Sequence, residues 1–358
     1  MAKFSFHNYP KRLKLDDYDL ARERLHNLFT ADGCGYSLVE YGQVQSPGVS
    51  DLDIMVVVND KCYDAGSLTK NLKNDQITKK FLENGTIITV PIEVFKHLHF
   101  IDSFGDFKVL SGEKVSQNYP DKELNSSLKF VSLMDWLPER YMRLQSIASS
   151  SKIDVINTLG ILHSVKYSIR NFENFFGIQL AESKSFFRNV ETLRQSWWKE
   201  KQPEIKLFNA VHSGLDLLKL CLVSLGDFFH RNVIDACGLL ANKMPLVRVN
   251  LHKSLSLLKS EGQNNIDIFY DNKPIGELPF IYYFHFWFMA SFSNRLSSHL
   301  LENFGLKTCE TFELVQTSEI PYFKTLEQKI SLLNRNFEFI LRSNLRAGMV
   351  RYGQFINI

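Results

Sequence analysis

Residues 36–58 read YSLVEYGQVQSPGVSDLDIMVVV. A β-rich run, Tyr36–Tyr41, ends at Gly42. A short polar connection containing Pro47 and Gly48 follows, and a second strand opens on Asp51-Leu52-Asp53. Side chains alternate between the two faces of an extended strand. Asp51, Asp53, Met55 and Val57 therefore share one face, and Leu52, Ile54, Val56 and Val58 the other, apolar one. Two carboxylates side by side at the start of an apolar strand repel each other, a cost that a cation between them removes. Oxygen-only ligation suits Mg2+, which takes one or two carboxylates and completes its shell with water and phosphate oxygens. A glycine turn with backbone N–H groups nearby suits those phosphates. The pieces describe a metal–triphosphate site, with a solvated strand end as the plainer alternative. The chain supplies its own control in Asp17-Tyr18-Asp19. That pair opens a helix, where residues two apart face different ways, and it has neither the glycine turn nor the apolar continuation.

Gly42, followed eight to eleven residues later by Ser50-Asp51-Leu52-Asp53 and a hydrophobic strand, resembles the nucleotidyltransferase superfamily of the DNA polymerase β type. The resemblance covers roughly residues 16–115. It implies an α+β fold: an N-terminal nucleotidyltransferase-type mixed β-sheet with flanking helices, then a larger all-helical domain. It also implies that Asp51 and Asp53 hold two Mg2+ ions, with Mn2+ as a substitute. A third acid is expected on a neighbouring strand. Glu93, in TVPIEVF, is the first choice: if residues 86–95 are a strand, Ile88, Val90, Ile92 and Val94 share the apolar face and Glu93 projects from the other. Asp106 is the reserve, and a merely solvent-facing Glu93 is the alternative. The family's turn serine is replaced by Gln43, whose amide can still donate to phosphate. The loop from the turn to Asp51 is shorter than the family's, and Ser46 or Ser50 would have to substitute for the missing serine. The implied reaction moves a nucleoside monophosphate from an NTP such as ATP to an acceptor hydroxyl and releases pyrophosphate. The implied nucleotide contacts are Gly42, Gln43, Ser50 and, from a helix of the second domain, Lys166. The competing reading is a catalytically degenerate member that serves as a binding or regulatory module.

Outward from this segment the pattern changes once. Residues 1–120 alternate β-rich and helical runs, beginning with an amphipathic helix at about Asp16–Phe29 whose early aspartates suit the helix dipole. Beyond Tyr119-Pro120 the β-rich runs almost vanish, and apolar residues recur at helical spacing. The expected domains are 1–120, catalytic, and 121–358, helical. On the segment Ile161–Phe176, His163, Lys166 and Arg170 share one face, readable as a triphosphate contact or as an ordinary basic face. His97 and His99 read as packing rather than as a zinc pair, since no further ligand sits at the right spacing. Trp197-Trp198 and the Arg342, Arg346, Arg351 tail read either as contacts to a base or phosphate or as packing and a solvated helix end.

Composition narrows the classes further. The 358 residues are 44% hydrophobic and 23% charged, too apolar for a disordered chain. The formal charge of +3 divides into −2 over residues 1–120 and +5 over 121–358. That balance favours a small or proteinaceous acceptor over a long nucleic acid, and no basic stripe interleaved with aromatics is evident. A small-molecule or protein acceptor is therefore expected. Five widely spaced cysteines without a C-x-x-C read as reduced thiols. The N-terminus lacks an apolar signal core. The most apolar window, 278–292, is too short to span a membrane and reads as a buried helix. The expected location is cytoplasmic.

Overall fold

The computed structural model describes residues 4–30, 35–59, 70–72, 74–82, 87–100, 106–118, 121–236, 248–252, 255–259, 265–292 and 320–342. Cys34, Cys62, Cys237, Cys309, Tyr119, Pro120, Arg346 and Arg351 lie outside them. The elements form a mixed α/β protein dominated by helices. The described residues fall into two units, one built from 10–122 with 331–342, the other from 4–9 with 123–330.

In chain order the elements begin with β1 (Ser5–His7), α1 (Leu15–Thr30), β2 (Gly35–Tyr41), β3 (Asp53–Val58), β4 (Ile88–Pro91), α2 (Ile92–Lys96) and β5 (Phe107–Gly112). Four of these strands make one mixed sheet in the order β4-β3-β2-β5. β3 runs parallel to β4 and antiparallel to β2, and β2 is antiparallel to β5. β3 is therefore an inner strand. Its five residues after Asp53 are all buried, on both faces rather than only on the Leu52/Ile54/Val56/Val58 face. The unbroken apolar run is what an inner strand requires.

α1 covers the Ile54/Val56/Val58 face. Tyr18, Ala21, Leu25 and Phe29 recur at helical spacing and pack with Leu38, Ile54, Val56, Leu72, Phe81 and Phe339. Glu40 also turns toward α1 and is buried, but Arg22 meets both its carboxylate oxygens at 2.7 and 2.8 Å, so the charge is compensated. Asp17 accepts from Lys14 N at 2.8 Å and Asp19 pairs with Arg22 at 2.7 Å. The control Asp-x-Asp thus serves its helix.

The expected strand over 86–95 is corrected: β4 stops at Pro91, and Glu93 lies in the first turn of α2. Proline has no N–H to extend a ladder, and its fixed φ suits the residue before a helix. Glu93 then favours the positive helix start and pairs with Lys96 three residues on, at 2.7 Å. The alternation of apolar residues in TIITVPIEVF holds only up to the proline.

The second unit continues with α3 (Lys122–Ala148), β6 (Lys152–Asp154), α4 (Val155–Phe176), α5 (Ser183–Ser196) and α6 (Pro203–Phe229). Then come β7 (Arg248–His252), β8 (Leu255–Lys259), β9 (Asn265–Tyr270), β10 (Lys273–Pro279), α7 (Ile281–Phe292) and α8 (Pro321–Arg342). α4 starts where Asp154 accepts from Asn157 N at 2.9 Å and stops at Gly177, in the left-handed region at φ +64. The phenylalanines are core here: Phe130, Phe172, Phe186 and Phe229 are buried.

The all-helical expectation for this unit is also corrected. β7–β10 form a four-stranded antiparallel sheet, and β1 pairs in parallel with β6. The β9–β10 hairpin turns at Asp271-Asn272, both at positive φ (47 and 62), as a two-residue primed turn demands. Ile266 and Ile268 alternate inward on β9. Of the described helices, the stretch Pro203–Ile234 is long and apolar enough to cross a membrane by length and composition, but half of its most apolar window is buried in the unit.

Candidate functional site

The end of β2 and the start of β3 define one edge of the mixed sheet. Tyr41 stands opposite Asp53 on one side and Phe107 on the other, so three neighbouring strands are level there. Gly42 N donates to Asp106 O at 2.8 Å, which places the turn glycine beside the residue that precedes β5. Adjacent strands lie about 4.8 Å apart. The chain thus brings Asp51, Asp53, Gly42 and Asp106 to a single edge. Asp53 is exposed and Asp51 half-buried.

Gly42 adopts φ +77, a conformation that favours glycine, and a Cβ there would meet nothing within 4 Å. The turn therefore opens to solvent, and Gln43 beside it is exposed. The loop from 46 to 50 is wound into a single helical turn. Ser50 N donates to Ser46 O at 2.8 Å, and Ser46 N donates to Ser50 Oγ at 3.1 Å. Ser50 Oγ thus helps to close its own loop, and Ser46 is buried.

Glu93 is not brought to this edge. Register pairs Pro91 with Val58, so β4 leaves the sheet at the end of β3 remote from Asp53. Five residues of strand separate the two ends, about 16 Å. Phe95 of α2 packs edge-on against Phe107, with ring centroids 4.9 Å apart. Among the described residues no three His, Cys, Asp or Glu side chains gather closely enough to hold a metal ion. Two carboxylates on an open edge still fit Mg2+, which keeps several waters and takes substrate phosphates for the rest of its shell.

Lys166 belongs to the other unit and is committed there. It is 2% exposed, its Nζ lies 3.1 Å from Glu191 Oε1, and it sits over the Tyr167 ring. Arg170 lies over the same ring and over Phe187, and His163 meets Tyr167 edge-on. His163 Nδ1 is buried without a hydrogen-bond partner. Burial first, then the charges of Arg194, Lys166 and Arg170, hold His163 down to about 3. It is a neutral ring among cations. His99 is likewise held down to about 4, by burial and then by His97, whose ring lies 6.1 Å away. Trp197 is buried and Trp198 half exposed, both beside Tyr9.

One polar cluster escaped the sequence reading. Asp135 of α3 accepts from His285 Nε2 of α7 at 2.7 Å and from Lys329 Nζ of α8. Tyr322 OH lies 2.5 Å from His285 Nδ1. Burial alone would raise Asp135, yet the charge of Lys329 and the His285 hydrogen bond outweigh it and hold the carboxyl below its ordinary range. Burial, then Asp135, keeps the Tyr322 phenol well above its ordinary value, so it stays protonated. The Lys329 ammonium answers the Asp135 carboxylate within the cluster. His285 and Lys329 have no exposed surface and Tyr322 has 3%, so the cluster ties helices together and offers nothing to a substrate. Residues 135, 285 and 329 share no spacing. The only advance signal was a histidine and a lysine inside apolar runs.

No protein-family model, curated protein or solved structure matches the chain.

Proposed function

We propose that the Asp51/Asp53 edge is the catalytic centre of a Mg2+-dependent nucleotidyltransferase acting on a small-molecule or protein hydroxyl. The observation that carries this reading is the meeting of an open glycine turn at Gly42 with Asp51, Asp53 and Asp106 at one end of three adjacent strands. Asp51 and Asp53 would hold the metal, and Asp106, two strands away and accepting from Phe107 N at 2.9 Å, would stand outside its shell. Bound Mg2+ would lower the pKa of the acceptor hydroxyl and offset charge on the departing pyrophosphate. The chain's own groups do the rest. The open space over Gly42 admits phosphate oxygens, and the exposed Gln43 amide can donate to them. Asp106 would take the acceptor's proton as the acceptor oxygen bonds to the α-phosphorus and the α–β bridging bond breaks.

The test is NTP binding by calorimetry with and without Mg2+. Wild type is expected to bind only with the metal, Asp53→Ala at least about tenfold more weakly, and Asp106→Asn and Glu93→Gln like wild type. Equal binding by wild type and Asp53→Ala would sink the proposal.

A second reading, a degenerate member kept as a binding module, is favoured by Gln43 and by the commitment of Lys166 to Glu191. Pyrophosphate release with any acceptor, abolished by Asp51→Asn, rules it out.

A further inference from the structure

We infer that Tyr18 is the positioning residue that holds Asp51 in place, an inference that rests on the reading of Asp51 and Asp53 as the metal-holding pair. Tyr18 lies on the buried face of α1 and is 1% exposed. A tyrosine hydroxyl in such a place must find partners, and here two hydrogen bonds tie it to the loop that delivers Asp51. Gly48 N donates to Tyr18 Oη at 2.9 Å, and Tyr18 Oη donates to Ser50 O at 2.6 Å. The second bond fixes the carbonyl of the peptide that joins Ser50 to Asp51.

The other side of Asp51 depends on the same ring. Leu52 N donates to Phe81 O at 2.7 Å, and the Phe81 ring stands edge-on to Tyr18 with centroids 4.9 Å apart. Asp51 therefore lies between two backbone anchors, one hydrogen-bonded by the Tyr18 hydroxyl and one on Phe81, whose ring packs against Tyr18. The chain before α1 closes the third side. Lys11 N donates to Gly48 O at 3.0 Å, and a Cβ on Gly48 would lie 1.8 Å from Lys11 O. Gly48 is at φ +83, so the loop is fixed in a conformation that only glycine meets easily. The part of Tyr18 is to restrict where Asp51 can be, which matters because Mg2+ demands near-ideal ligand geometry.

Tyr18→Phe separates this role from packing, since the ring and its contact with Phe81 remain. Two measurements decide it. Amide hydrogen exchange at Gly48 is expected to rise at least about tenfold in the variant while exchange at Val56 stays unchanged. Calorimetry with Mg2+ and a non-hydrolysable ATP analogue is expected to show affinity about tenfold weaker, the usual size of a supporting-residue loss. Faster Gly48 exchange with unchanged affinity overturns the positioning role and leaves the functional reading standing. Unchanged Gly48 exchange overturns the brace itself. A wild-type protein that binds no Mg2+–nucleotide overturns the functional reading, and the positioning role with it.

Discussion

Asp53 and Asp135 show how differently one residue type is used in this chain. Asp135 is buried, and Lys329 and His285 answer its charge from within the protein. Asp53 stands exposed at the start of an otherwise buried strand, where a ligand from solvent can reach it. The two histidines with depressed pKa values make a further residue-scale prediction. His163 and His99 titrate near 3 and 4 in the folded protein and near 6.5 in the unfolded chain. Below pH 6.5 the unfolded state therefore binds more protons, and stability falls as pH drops toward 4. The free energy of urea unfolding is expected to fall between pH 7 and 5, by on the order of 1 kcal/mol for each histidine. His163→Gln with His99→Gln should flatten that slope. Asp135 does not contribute in this window: its folded pKa lies below the ordinary 3.8, so its stabilisation is lost only in stronger acid.

Among the elements, β3 was the most legible and β4 the least. An unbroken apolar run after Asp-Leu-Asp has one economical use, as an inner strand, and the structure puts it between β2 and β4. For residues 86–95 the alternation of apolar residues suggested a strand, but Pro91 ends the ladder and Ile92–Lys96 turn into α2. The error moved Glu93 from an expected site strand to a helix start. The β7–β10 sheet was missed because its strands are only five to seven residues long, and the period-2 signal of each is weak beside the helices around them. The Asp271-Asn272 turn between alternating residues was the readable clue. Nothing in spacing foretold that α3, α7 and α8 would meet at Asp135. Lys329→Met should cost about 3–5 kcal/mol in urea unfolding, because it strands a buried carboxylate. Asp135→Asn combined with Lys329→Met should cost less than Lys329→Met alone, since a neutral amide still accepts from His285 Nε2.

At the scale of the whole molecule, the near-balanced charge of +3 conceals two compositions, −2 over residues 1–120 and +5 beyond. The acidic part contains the Asp51/Asp53/Asp106 edge, with α1 bracing its loop through Tyr18. In the basic part Lys166 is committed to Glu191 and Lys329 to Asp135. Net charge alone therefore says little about which surface meets phosphate. A fold of this kind can host many reactions, so the functional claim stands on the edge itself. The most direct measurement is anomalous diffraction from crystals soaked with Mn2+ and a non-hydrolysable NTP analogue. The expected result is a manganese peak about 2.1 Å from carboxylate oxygens of both Asp51 and Asp53, with the triphosphate over Gly42. A bound analogue with no metal at these two residues, or a metal held elsewhere in the chain, would contradict it.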